Sequence, residues 1–87
     1  MTLNFLTWAF DARVETPAEL AVLLVIASSA DQDGNLSISR QILADRARMR
    51  PNEIDQIIDS LEGSGFVKAF DPHDWSKVGV RLKVNGQ

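Results

Sequence analysis

Arg40, Arg46, Arg48 and Arg50 fall within one short stretch, with Asn52 and Gln56 directly after it. Guanidinium groups contact phosphates, and Arg on guanine or Asn and Gln on adenine read base edges in pairs of hydrogen bonds. A second basic group, Lys77, Arg81 and Lys83, lies near the C-terminus, and Arg81 and Lys83, two residues apart, share one face of a strand. Between the two groups stand Glu53, Asp55, Asp59 and Glu62 with no base among residues 51–65. Those acids oppose phosphate and suit a basic protein surface or a mimic of nucleic acid. Each group also has a plainer reading. The arginines balance neighbouring acids on a solvated face. Glu53 sits at the positive end of a helix, a placement worth up to about 1 kcal/mol. Charges on an edge strand discourage edge-to-edge pairing. Trp75, beside His73 and Pro72, is either a partner contact or folded back onto the domain.

Catalysis has little to work with. One His, no Cys and no Tyr leave almost nothing for acid-base or nucleophilic chemistry. The expectation is a protein that is not an enzyme and needs no cofactor. A zinc site has too few ligands. Asp31-Gln32-Asp33-Gly34-Asn35 resembles a calcium loop only superficially, because its glycine comes fourth and its twelfth position is Ile42. It reads as a turn. Gly63-Ser64-Gly65 lacks the lysine of a phosphate loop and reads as a helix cap.

These groups must be held by a small scaffold. The chain has 87 residues, 45% hydrophobic and 24% charged, which fits one domain over 1–87: a lead-in over 1–15, a helical core over 16–65 and a hairpin over 66–84. A chain this short buries about two thirds or less of its unfolded surface, and without cysteine no disulfide adds stability. The net charge of −3 argues against coating nucleic acid by bulk charge, so any such role depends on local clusters. The N-terminus MTLNFLTWAF lacks a basic leader, and no apolar run is membrane-length, so a cytoplasmic protein without a membrane partner is expected.

Thr16-Pro17-Ala18-Glu19 is a helix start, with Thr as cap, Pro at the first position and Glu able to reach back as a capping box. The apolar run Leu20–Ala27 leaves that helix no polar face and marks it as central. Leu36-Ser37-Ile38 alternates like a very short strand. Ser39 caps a helix from Arg40 to Ala47 with Ile42, Leu43 and Ala47 turned inward. After a break at Arg48-Met49-Arg50, Pro51 opens a helix in which Ile54, Ile57, Ile58 and Leu61 form an amphipathic stripe. Residues 66–70 and 78–84 alternate in period two around a polar loop. The segment from Leu3 to Phe10 reads as a short helix, with Trp8 and Phe10 as core or dimer contacts.

Trp8-Ala9, Pro17 with its apolar helix, Asp33-Gly34, Ser39 with Leu43-Ala44, and Ile54, Leu61 and Gly65-Phe66-Val67 together resemble the helix-turn-helix domains of phage and plasmid replication initiators and small transcription regulators. The likeness spans roughly residues 7–70. It implies an α+β winged helix-turn-helix: a three-helix core, a very short strand before helix 2 and a C-terminal β-hairpin wing. In that family helix 3, here 51–62, enters the major groove and the wing meets phosphates. The resemblance therefore implies a regulator or replication accessory that binds duplex DNA, with a homodimer matching symmetric half-sites. Carried over, the groove positions are Arg50, Asn52, Glu53, Gln56, Asp55 and Asp59. Two departures stand out: the acids at these positions, and Arg48 where the family has glycine. The acids keep open a different class of function, an inhibitor or adaptor that docks on a basic protein surface through Glu53, Asp55, Asp59, Glu62 and Trp75.

Overall fold

The computed structural model describes residues 5–73 and 76–83, so Leu3, Trp75 and Val84 of the sequence reading lie outside the described residues. The described chain is α+β. Its elements are α1 (Phe5–Asp11), α2 (Pro17–Ser29), β1 (Asn35–Ser39), α3 (Arg40–Ala47), α4 (Pro51–Gly63), β2 (Val67–Phe70) and β3 (Lys77–Leu82). The strands form one antiparallel sheet in the order β1-β3-β2.

The start of α2 follows its capping sequence with one change. Thr16 Oγ1 accepts from the Glu19 amide at 3.2 Å, and Pro17 takes the first turn. The Glu19 carboxylate reaches past the expected Thr16 amide, and its Oε2 accepts from the Glu15 amide at 3.1 Å. Its other oxygen accepts a 2.6 Å hydrogen bond from the Ser60 hydroxyl on α4. Glu19 is thereby buried with both oxygens satisfied. Farther along α2, Val22, Leu23, Ile26 and Ala27 are buried while Leu24 and Val25 pack at the margin of the core. Helices α1, α3 and α4 and strand β3 all touch α2, which explains its lack of a polar face. Helix α1 adds the fully buried Ala9 to this core, and the Trp8 ring meets Phe66 edge-on at 6.4 Å. Phe10 is exposed, so of that pair only Trp8 joins the core.

Ser39 ends β1 and caps α3, its hydroxyl accepting from the Ile42 amide. Leu43, Ala44 and Ala47 are buried, but Ile42 is 46% exposed, against the inward position expected from sequence. At about 100° per residue, the face centred between Leu43 and Ala44 leaves Ile42 on the far side of the helix.

Both α3 and α4 end in the same Schellman geometry. After α4, Phe66 donates to the Leu61 carbonyl and Gly65 to Glu62; after α3, Met49 donates to Ala44 and Arg48 to Asp45. The left-handed residue is Gly65 at φ 86° in one and Arg48 at φ 61° in the other. Gly63, expected to help close the third helix, is its last residue, and Gly65 alone supplies the positive φ there.

β1 is longer than its alternating triplet and β3 ends at Leu82. Leu36, Ile38, Val67, Val78, Val80 and Leu82 face the helices. The pleat turns Asn35, Ser37 and Ser39, Lys77, Gly79 and Arg81, and Lys68 and Phe70 to the opposite face.

Candidate nucleic-acid interface

Arg48 and Arg50 are both exposed in the turn that leads into α4. The backbone carbonyl of Arg50 accepts from the Glu53 amide, and no side chain caps this helix end. Beyond them Asn52 and Gln56 are exposed on the side of α4 opposite Ile54, Ile58 and Leu61. These four side chains lie along the turn and the first two turns of α4. The other two arginines have local work. Arg46 donates to Ser29 Oγ at 3.1 Å, at the end of α2. Arg40 joins three elements: its amide donates to the Ser76 carbonyl ahead of β3, and its Nε donates to Asp55 Oδ1 on α4 at 3.1 Å.

The acids of α4 divide into two groups. Asp55, Asp59 and Glu62, spaced i, i+4 and i+7, share the flank that faces the hairpin. Asp55 pairs with Arg40. Glu62 Oε2 accepts from the Ala69 amide at 3.0 Å, covering a donor of the edge strand β2. Asp59 lines an open hollow between α4 and the hairpin with Arg40, Asp55, Phe70, Pro72 and Lys77. Glu53 lies in the first turn of α4, where the helix dipole favours an acid. Sequence reasoning treated these acids as one surface. Two of the four are fasteners between α4, α3 and the hairpin.

The hairpin cations cluster on the outer sheet face. Arg81 is the direct cross-strand neighbour of Asn35 on one side and Lys68 on the other, and Lys77 opposes Ser39. Lys83 is half-buried beyond the end of β3, where its amide donates to the Phe66 carbonyl. Lys68 was missed by the sequence reading, which did not fix how the two hairpin strands pair. Asn35, Lys68, Phe70 and Arg81 line an open hollow of about 450 Å³.

The Asp31–Asn35 segment is a turn, as expected: Asp31 Oδ1 accepts from the Asp33 and Asn35 amides, and Gly34 takes φ 84°. Among the described residues no group of three or more His, Asp or Glu is placed to hold a metal ion, and no helix is long and apolar enough to cross a membrane. No family model, curated protein or solved structure matches the chain.

Proposed function

We propose that this chain is a small, non-enzymatic winged-helix protein that binds duplex DNA, of the regulator or replication-accessory type found in phages and plasmids. The order of helix, strand, two helices and hairpin supports the winged-helix assignment. The observation that carries the DNA reading is the division of the acids on α4. Asp55 and Glu62 are engaged on the hairpin side, while Asn52 and Gln56 stand exposed beside Arg48 and Arg50. In this arrangement α4 presents amide side chains to base edges and the arginines of the preceding turn to phosphates, with Lys77, Arg81 and Lys83 of the wing as further contacts.

Fluorescence anisotropy of a labelled random duplex, titrated with protein from about 50 to 200 mM salt, tests this reading, because phosphate-driven affinity falls steeply across that range. Arg50→Ala is expected to weaken binding by about 1–3 kcal/mol if it reads a base. No binding at the lowest salt overturns the proposal. The second reading, docking on a basic protein surface, rests on Glu53 and Asp59, which have no ion pair among the described residues, and on the net charge of −3.

A further inference from the structure

The outer sheet face holds a combination of which the duplex reading uses only Arg81. Lys68 and Arg81 are direct cross-strand partners, a like-charge juxtaposition that works against the sheet. Neither has an ion pair among the described residues. Next to them Phe70 is 41% exposed, its ring set over Gly79 so closely that a Cβ there would lie 2.7 Å from it. Asn35 completes the same hollow with a side-chain amide. Phe70 also borders the second hollow, between α4 and the hairpin, and among the described residues it is the one shared by the two linings.

We propose that this face binds single-stranded nucleic acid. A base stacks on the exposed side of Phe70, and the flanking phosphates lie against Lys68 and Arg81. Asn35 offers one donor and one acceptor to a base edge. A ring beside unpaired cations is the combination by which sequence-tolerant single-strand sites work. A duplex keeps its bases stacked inside and leaves the ring idle. An acidic peptide engages the cations but has no flat π-system for Phe70. Past Phe70 the strand meets Asp55 and Asp59 beside Arg40 and Lys77, a lining without net positive charge, so the basic footprint on this face is short. The surface shares Arg81 with the duplex reading but not Asn35, Lys68 or Phe70, so Phe70→Leu on one side and Asn52→Ala with Gln56→Ala on the other tell the two readings apart.

The test titrates intact protein into labelled oligothymidine and, separately, into a labelled random duplex, at about 50 mM salt and upward. Phe70→Leu keeps apolar bulk over Gly79 without a π-face; it is expected to weaken oligothymidine binding about five-fold or more at an unchanged unfolding midpoint, whereas Phe70→Trp retains binding. The double variant Lys68→Glu, Arg81→Glu is expected to abolish it. Asn52→Ala with Gln56→Ala is expected to weaken the duplex alone. Oligothymidine affinity that is absent at low salt, indifferent to Phe70→Leu, or competed equally well by polyglutamate overturns the proposal. Loss of the duplex arm alone overturns only the reading of α4.

Discussion

The Ser60 hydroxyl donates to Glu19 Oε1 across 2.6 Å, joining the C-terminal half of α4 to the first turn of α2 inside the core margin. The other carboxylate oxygen is held by the Glu15 amide, so Glu19 at once fixes the chain entering α2 and the helix packed against it. Hydrogen bonds to charged groups contribute about 1.5–3 kcal/mol, more than neutral ones, because the buried charge loses a partner when they are removed. Ser60→Ala is therefore expected to destabilise the protein by about that amount in urea denaturation. Ser37→Ala, at an exposed position of β1, serves as the control. Equal midpoints for the two variants would show that the bond contributes nothing.

Arg48 and Gly65 occupy equivalent positions in two Schellman motifs, and only one of them is glycine. A side chain in left-handed backbone costs roughly 1–2 kcal/mol, partly offset because glycine is more disordered when unfolded. Arg48→Gly is expected to gain about 0.5–1 kcal/mol, a rise of a few degrees in Tm by calorimetry, and Gly65→Ala to lose about as much. The same Arg48→Gly change should weaken duplex binding if Arg48 meets a phosphate. Stability up with affinity down would identify Arg48 as a residue kept for contact at the expense of the turn.

Gly79 lies beneath Phe70. An added Cβ would stand 2.7 Å from both the Phe70 ring and its backbone carbonyl oxygen. The ring can swing away, but the carbonyl belongs to the β2–β3 ladder. Gly79→Ala is expected to destabilise by about 1–3 kcal/mol, as overpacking does. Combining it with Phe70→Ala should recover little, and full recovery in thermal unfolding would place the strain in the side chain alone.

The Arg40–Asp55 pair is solvent-accessible, with side chains 30% and 60% exposed, so its own contribution to stability is at most about 1 kcal/mol. Asp55→Asn should leave Tm nearly unchanged while removing a negative charge from α4. Duplex affinity is expected to rise. A protein partner with a basic surface predicts weaker binding by Asp59→Asn, the acid of this flank without an ion pair among the described residues, so the two variants together separate the functional readings.

Much of the scaffold is readable from local signals. Thr16-Pro17, Ser39 and the Ile54–Leu61 stripe are each encoded within a few residues, and the helices begin and run where those residues place them. What escaped was set by tertiary pairing. Ile42 looks like core beside Leu43, yet the helix phase fixed by Ala44 and Ala47 turns it out. Glu19 reads as a capping residue, and nothing near it in sequence announces Ser60, which is brought to it only by packing of α2 on α4. Glu62 and Asp55 read as free surface charge because their partners, Ala69 and Arg40, lie on other elements. The Lys68–Arg81 adjacency depends on strand register, which the long loop between β2 and β3 does not encode.

The strand order β1-β3-β2 gives the central place in the sheet to the last of the described elements. β1 and β2 do not pair with each other; each bonds only to β3, and Asn35 must wait for Arg81. During synthesis, a nascent chain that has emerged as far as Phe70 holds all four helices, but it carries two strands with no ladder to join. The sheet can close only when the six residues of β3 come between these two edges, and without β3 both edges are open to a neighbouring chain.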